Sequence, residues 1–600
     1  MKAEEPVAAY RQRITTLEIQ LKKHTQKRSR IGWLRFAITI IAGSVVWVNL
    51  DHAWWTIALP VAIWLIVFLR LVAIALQNNA AIRHLGLLIR INKEEIQIAE
   101  GRYTHRAAGE QWLPAVHDYA HDLDIFGRAS IYQYLNRTTS EQGNQAMARH
   151  LLQPSGVPEI MAMHEAIREL APQLEWRQDL QAHGMQTTIT ITTQQKLAAW
   201  LEQPLAFVQH KGWNLLRWAF PVLSIGSVVL YAMDVLPLAI FNTLLLSYLL
   251  VSGLITRSIT GQYKQLNKIV GEIDALSGSL QTIEALKPQA ALLQQMVSVF
   301  NGQQYKASTG VKQLKQILDR FDLRLNPLFF IPLNALLLWD LQLVFRLEQW
   351  KVKNRSRVSG WLTQLGEVEY LCSMANLHAN HPDWVFPDFV TEHGHFEAVD
   401  AGHPLIPQQK RVNSSFSASG MPQLALVTGS NMAGKSTFLR SIGVNMVLAM
   451  AGAPVCAAFC RLSPMKVIST MRIADNLEES TSTFYAELKK LEYIIQAVNR
   501  KEKVFLLFDE ILRGTNSADR HAGSEALIRQ LMRQQATGIL ATHDLELTAL
   551  QKEYPQWISN YHFDVQIRDG ELHFDYKLKQ GICTNMNAAF LMKMIGIEMA

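Results

Sequence analysis

The sequence predicts an α/β domain at the C-terminal end of the chain, a mostly α-helical core before it, and four transmembrane helices in two hairpins. Three observations predict this class. A glycine-rich segment follows a short apolar run near residue 424. Long stretches rich in Leu, Ala, Gln, Glu, Lys and Arg have helical periodicity. Four apolar runs occur in two close pairs within a chain of 600 residues that is 49% hydrophobic.

The four apolar runs approach the length that a membrane-spanning helix needs. They cover residues 33–50, 53–76, 218–233 and 235–255, against about 20 residues for the hydrocarbon core of a bilayer. Lys and Arg flank each pair, whereas the short turns at Asp51 and Asp234 carry neither. By the positive-inside rule, both termini and the middle of the chain are expected in the cytoplasm. We therefore predict a multi-pass protein of the cell (inner or plasma) membrane, with buried core helices as the alternative.

These features divide the chain into six predicted segments. They are a cytoplasmic N-terminal helix (1–31), a first transmembrane hairpin (32–76), the first part of the helical core (77–212), a second hairpin (213–256), the second part of the helical core (257–395) and the C-terminal α/β domain (396–600). A further apolar run, Leu328–Trp339, is too short to span a bilayer and ends at Asp340. We expect it to be a core helix of the soluble part.

The C-terminal domain opens with a G-x-x-x-x-G-K-[ST] motif between an apolar strand, Leu424–Val427, and a helix. Glycines in such a loop let backbone N–H groups surround a polyphosphate, and the helix N-terminus adds its positive dipole end. The lysine reaches the terminal phosphates and the following hydroxyl can bind Mg²⁺. The residues that we predict to bind a nucleotide are Gly429, Ser430, Asn431, Met432, Ala433, Gly434, Lys435, Ser436 and Thr437.

Two further apolar strands end in residues that suit phosphate chemistry. Val504–Phe508 is followed by Asp509 and Glu510. We expect Asp509 to hold Mg²⁺ together with Ser436, and Glu510 to orient and deprotonate the attacking water. The strand Thr537–Thr542 leads to His543, which can sense a γ-phosphate by hydrogen bonding. We therefore predict Glu510, His543 and Lys435 as catalytic residues.

Net charge and cysteine content limit the cellular compartment and the classes of partner, but they do not identify one partner. The net charge of +7 is compatible with nucleic acid or with anionic lipid. The four cysteines do not form a disulfide framework, so a reducing compartment is expected.

Four ordered motifs resemble the MutS family of DNA mismatch-repair ATPases. The phosphate loop from Thr428 to Arg440 is similar to that family's, as are the stretches Ser480–Glu487, Asp509–Thr515 and Ala541–Leu547. His403-Pro404 and the closing run Phe574–Gly581 also fit. A weaker match, Leu135–Gly143 with Leu151–Pro154, resembles the start of the family's helical core domain.

The resemblance implies an ABC-type ATPase domain that hydrolyses ATP with Mg²⁺ in a homodimer and moves helical levers. Ser482 would then reach the γ-phosphate bound by the partner chain, with Thr515 near the shared interface. Tyr576 would stack on the adenine, although Lys410–Asn413 lacks the aromatic residue that many members place opposite. Double-stranded, mismatched DNA is the partner that the resemblance implies.

Two departures keep other functions open. The family's mismatch-reading domain, with its Phe-x-Glu wedge, has no counterpart, because an apolar hairpin occupies the N-terminal region. The second apolar hairpin interrupts the helical core. The alternatives to DNA repair are therefore a membrane-associated, ATP-dependent scaffold and a remodelling ATPase that does not act on DNA.

Overall fold

The computed structural model describes residues 4–51, 53–267, 269–302, 305–430, 433–471, 483–568 and 571–583. Its N-terminal part is helical, and its C-terminal part contains two β-sheets with helices around them. The helices of the first part are α1 (Glu4–Val48), α2 (Trp54–Ala99), α3 (Ile131–Leu135), α4 (Glu141–Leu152), α5 (Val157–Leu170), α6 (Leu174–Gly184), α7 (Ile191–Glu202), α8 (Lys211–Ala232), α9 (Leu238–Asn267), α10 (Val270–Glu284), α11 (Ala291–Phe300), α12 (Ala307–Phe321), α13 (Pro327–Leu337), α14 (Trp339–Asn354) and α15 (Val358–Asn380).

The first two helices form a long antiparallel pair with an apolar end and a polar end. At the apolar end large side chains are exposed, such as Trp47 at 77% and Ile66 at 69%. At the polar end the pair docks on the helical core, where the Tyr10 hydroxyl donates to Asn380 Oδ1 at 2.7 Å. Helix α1 contains most of the predicted N-terminal helix (1–31) and most of the first apolar run (33–50), so these two segments form one continuous helix.

Within the described residues, four helices are long and apolar enough to cross a membrane, judged by length and composition: α1, α2, α8 and α9. The second pair, α8 and α9, also exposes apolar side chains, including Val222 at 71% and Leu246 at 68%. In water, apolar side chains this exposed contribute no free energy of burial. The surface that they form is therefore expected to contact an apolar phase.

The prediction that Leu328–Trp339 is a core helix is wrong. Helix α13 exposes Leu328 at 84%, Phe329 at 67% and Ile331 at 51%. Only its C-terminal end is buried, and a 78° bend separates it from α14, which does lie in the core. A short apolar helix can have the same composition in a protein core and on an apolar surface. The composition of this helix therefore did not show whether it is buried or exposed.

A buried ion pair joins α2 to the start of the helical core. Arg137 Nε donates to Glu95 Oε1 at 2.5 Å and Arg137 Nη2 to Glu95 Oε2 at 3.2 Å. Burial would raise the pKa of Glu95, but the Arg137 guanidinium overcomes this effect and holds that pKa below its ordinary value. The pair fixes the long hairpin relative to the residues that precede α4.

The C-terminal part contains β1 (Asp388–Phe389), β2 (Phe396–Ala401), β3 (Ser414–Ala418), β4 (Gln423–Thr428), α16 (Lys435–Met450), β5 (Phe459–Leu462), β6 (Lys466–Thr470), α17 (Thr483–Asn499), β7 (Val504–Asp509), α18 (Ser517–Arg533), β8 (Thr537–Thr542), α19 (Leu550–Glu553), β9 (Ile558–Arg568) and β10 (Glu571–Gln580). The larger sheet has the order β10-β9-β4-β8-β7-β6, and the smaller one β1-β5-β2-β3. In the larger sheet β9, β4, β8, β7 and β6 are parallel, and helices cover both faces.

We predict that Glu95→Gln destabilises the protein by about 3–5 kcal/mol, because it leaves the Arg137 charge buried without its counter-charge. Glu18→Gln is the control: Glu18 on α1 also forms an ion pair with α2, through Lys93, but both side chains are more than half exposed. Its cost is expected to be below about 1 kcal/mol. Denaturant-induced unfolding of the full-length chain in detergent measures both.

The same pair predicts a pH dependence. Because the folded-state pKa of Glu95 is depressed, its stabilisation is present above the ordinary value of 4.5 and is lost as the pH falls below it. The stability difference between the wild type and Glu95→Gln should therefore shrink in acid. Equal stability losses for Glu95→Gln and Glu18→Gln at neutral pH would contradict the assignment.

Candidate functional site

Three parallel strands deliver the predicted site residues to one edge of the larger sheet. β4 pairs with β8 so that Thr428 lies opposite Thr542, and β8 pairs with β7 so that Ala541 lies opposite Asp509. Since parallel strands end at the same edge, the residues after β4, β7 and β8 come together there. This register is why motifs more than 100 residues apart in sequence share one site.

The described part of the loop after β4 contains two glycines with positive φ. Gly429 has φ +145° and Gly434 has φ +108°, in the region that favours glycine. A Cβ on Gly429 would lie 3.0 Å from the Phe563 carbonyl oxygen. Helix α16 begins at Lys435, so its unpaired N–H groups and its dipole face the loop. Asn431 and Met432 lie outside the described residues.

Lys435 is held at the mouth of this loop. Its Nζ donates to the carbonyl oxygens of Gly429 at 2.7 Å and Ser430 at 3.1 Å, and lies 3.1 Å from His543 Nε2. Burial lowers the pKa of Lys435 below its ordinary value. The ammonium group is thus positioned next to the loop in which an anion would be bound.

Glu510 and His543 form the next contact across the strand ends. His543 Nε2 lies 2.6 Å from Glu510 Oε1. The hydrogen bond from His543 is the largest influence on Glu510 and lowers the pKa of that carboxyl group below its ordinary value. Glu510 takes φ +56°, and its backbone N–H donates to the Ala541 carbonyl oxygen at 2.9 Å. A charged side chain is therefore held on a turn fixed to the neighbouring strand.

Two further residues belong to this arrangement and were not assigned from the sequence. Arg513 Nε lies 3.4 Å from Glu510 Oε2, and the same guanidinium donates to the backbone carbonyl oxygen of Asp509. Glu487 Oε1 accepts a hydrogen bond from the Leu512 N–H at 2.5 Å and so stabilises the turn that follows Glu510. Arg513 lies inside the Asp509–Thr515 run. Its position four residues after Asp509 was the sequence feature from which a contact with that carboxylate could have been predicted.

Oxygen ligands suited to Mg²⁺ are present at the same edge. Asp509 ends β7 with its side chain largely buried, and Ser436 is exposed in the first turn of α16. A carboxylate and a hydroxyl match the preference of Mg²⁺ for oxygen ligands, of which the substrate phosphates and water supply the rest. Thr437 is exposed beside Ser436.

A cavity of about 210 Å³ lies on the other side of the loop. Tyr576, 45% exposed and at φ +52°, forms one wall, and its ring lies 3.2 Å from the position that a Cβ on Gly434 would occupy. Lys410 and Val412 line the cavity on another strand connection. The cavity thus combines a tyrosine ring with the side chains of a valine and a lysine. Ser482 lies outside the described residues, and Thr515 is half-buried after the Glu510 turn.

Comparison with known proteins identifies this part of the chain. A family model, MutS domain V, matches residues 425–598, which include the phosphate loop, Glu510, His543 and Tyr576. The DNA mismatch repair protein MutS of Aquifex pyrophilus is 31% identical over 247 residues, which is 40% of this chain and 28% of that protein. The DNA mismatch repair protein MSH4 of Arabidopsis thaliana is 33% identical over 188 residues, 31% of this chain and 23% of that protein.

The human MutS protein homolog 4 is 32% identical over 220 residues, 34% of this chain and 22% of that protein. The chain thus spans about a quarter of the length of these curated relatives. The segment that the family model matches contains the phosphate loop, Glu510 and His543. The family model and the relatives agree: residues 425–598 match MutS domain V, and this chain is similar there to proteins of the MutS family.

Proposed function

We propose that this protein is a membrane-anchored ATPase of the MutS type that hydrolyses ATP as a homodimer and thereby moves its helical core. The observation that carries the proposal is the continuous contact from Lys435 through His543 to Glu510 at the edge of the larger sheet. This contact places the Lys435 ammonium, which can bind phosphates, close to the Glu510 carboxylate, which can activate water. Phosphoryl transfer to water requires both kinds of group.

Binding of ATP would use the phosphate loop and the start of α16. Backbone N–H groups and Lys435 would hold the β- and γ-phosphates, and the ring of Tyr576 would stack on the base in its cavity. Ser436 and Asp509 would hold Mg²⁺, which supplies positive charge to the phosphate oxygens.

Hydrolysis would depend on the charge state of Glu510. A glutamate whose pKa lies below its ordinary value is ionised at neutral pH, and an ionised carboxylate can accept a hydrogen bond from water and then a proton. His543, which touches both Glu510 and Lys435, would donate to the γ-phosphate when that group is bound. Arg513 adds positive charge beside Glu510 and orients the turn.

Dimerisation and membrane attachment complete the proposal. In the dimer, Ser482 of each chain would approach the nucleotide of the other, as the family resemblance implies. The apolar halves of α1 and α2, with α8 and α9, would cross the cell membrane and leave both termini and the ATPase domain in the cytoplasm. Their length, composition and exposed apolar side chains support this topology.

Double-stranded DNA is the proposed ligand of the helical core, because the relatives are named for DNA mismatch repair and the chain carries a net charge of +7. A second candidate is an ATP-dependent scaffold or remodelling ATPase that does not act on DNA. It is favoured by the extent of the family match, which covers the nucleotide site at residues 425–598 but not the helices before it.

We predict that Glu510→Gln retains ATP binding but lowers ATP turnover by about 10²-fold or more, because the amide cannot accept the proton of water. Glu502→Gln is the control, since Glu502 lies on the turn before the same strand and pairs only with nearby Arg500 in the described structure. Phosphate release and fluorescent-nucleotide binding measure the two properties. Undiminished turnover in Glu510→Gln would refute the catalytic assignment.

Replacing the proposed base-stacking residue tests the adenine cavity. Tyr576→Ala should raise the KM for ATP by about 10-fold, since stacking of a base on an aromatic ring contributes about 1–3 kcal/mol. Tyr576→Phe keeps the ring and should leave the KM near the wild-type value. Steady-state turnover over a range of ATP concentrations separates the two variants, and equal KM values for all three proteins would place the base elsewhere.

The DNA assignment predicts a steep salt dependence. Duplex DNA should bind the ATP-loaded Glu510→Gln protein with an affinity whose logarithm falls linearly with the logarithm of the salt concentration. Fluorescence anisotropy with labelled duplex at several salt concentrations measures this slope. A failure to bind duplex even at low salt, together with ATP-dependent capture of a protein from native membranes, would favour the scaffold.

A further inference from the structure

The segment between α12 and α14 forms an apolar projection. Residues 325–339 contain no Asp, Glu, Lys or Arg. Within this stretch Leu325 is 78% exposed, Leu328 84% and Phe329 67%. An exposed cluster of this size on a single short helix has a large unfavourable free energy of hydration, so it marks a contact with another apolar phase.

The two ends of this projection are tied together. Arg324 Nε donates to Asp340 Oδ1 at 2.7 Å, and Asp340 is fully buried. The indole N–H of Trp339 also donates to the carbonyl oxygen of Arg320 at 3.4 Å. The chain therefore leaves the helical core beside α12 and returns to the same place at the start of α14. Charged residues stand at the base of the projection and apolar residues along it.

The projection is attached to the second apolar helix pair. Asn334 Nδ2 donates to Thr256 Oγ1 at 2.9 Å, and that hydroxyl donates to Asp340 Oδ2 at 2.6 Å. Thr256 lies on α9; on α8, the Ser224 hydroxyl donates to the Leu336 carbonyl oxygen at 2.5 Å. Ser224 lies about 20 Å along α8 from Lys211. The C-terminal end of α13 thus reaches the part of α8 that we place inside the bilayer.

The projection is too short to cross a bilayer, and its continuation cannot complete a span. Eleven helical residues extend about 16 Å, whereas the hydrocarbon core is about 30 Å thick. After the bend, where Leu338 takes φ +47°, helix α14 runs into the protein core with Phe345 and Trp350 buried. As a helix, α13 pairs backbone groups within itself, with an interruption at Pro332, and such pairing lowers the cost of entering lipid.

We propose that α13 inserts into the cytoplasmic leaflet of the bilayer that α8 and α9 cross, with its exposed apolar face against lipid acyl chains. This inference rests on the proposed membrane anchoring. It adds a contact between the membrane and the helical core, because α13 leads directly into α14. The protein would sense one leaflet through a helix that does not span it.

Fluorescent labelling of the full-length protein in liposomes tests the insertion. Single cysteines are introduced as Leu328→Cys in α13, Leu246→Cys in α9 and Val116→Cys in the helical core. All three positions are highly exposed, so the changes remove little buried contact, and the four natural cysteines are buried. An environment-sensitive dye on each cysteine is quenched either by aqueous iodide or by nitroxide-labelled phospholipid.

The expected result is that the dye at 328 is quenched by the nitroxide lipid, as at 246, and several-fold less by iodide than at 116. Iodide quenching at 328 equal to that at 116, with lipid quenching at 246, would refute the insertion and leave the anchoring intact. Iodide quenching at both 328 and 246 would refute the anchoring as well. Protection of 328 from both quenchers would mean that protein covers α13, which also refutes the proposal.

Discussion

The parallel pairing of β4 with β8 and of β8 with β7 is the constraint on which the site depends. The residues that follow each strand enter the site, and groups from different strands lie far apart in sequence. A slip of one residue in either pairing would turn a whole strand over and carry its terminal side chain to the other face. These three strands are buried along almost their whole length, and the distances between Lys435, His543 and Glu510 depend on their register.

The larger sheet is bound to the helical core by polar contacts as well as by apolar packing. The Tyr370 hydroxyl on α15 donates to the Ala451 carbonyl oxygen after α16, and the Ser155 N–H donates to Met450 at 2.9 Å. On the far side, the Asp122 carboxylate accepts from the Ser469 hydroxyl at 2.8 Å. A shift of α16 when a nucleotide binds would thus act directly on α15, which runs through the middle of the helical core.

Sequence reasoning reached the local features of the site because each depends on neighbouring residues. The glycine positions, the strand before Asp509 and Glu510, and the strand before His543 could all be found from spacing and hydrophobicity. The contact between His543 and Glu510, and the part played by Arg513, required the strand register, which no local pattern contains. The surroundings of α13 were misjudged for a different reason: length and hydropathy do not report which apolar phase covers a helix.

Helix α1 has a mechanical consequence. It runs from Glu4 to Val48 without a break, a length of about 68 Å. Its first half is fastened to the helical core through Tyr10 and Arg13, and its second half carries the exposed apolar residues. A continuous α-helix has no hinge, so the two halves must tilt as one stiff rod. In the membrane anchor proposed above, a rotation of the core that carries the fastened half of α1 with it would therefore change the tilt of the apolar half in the bilayer.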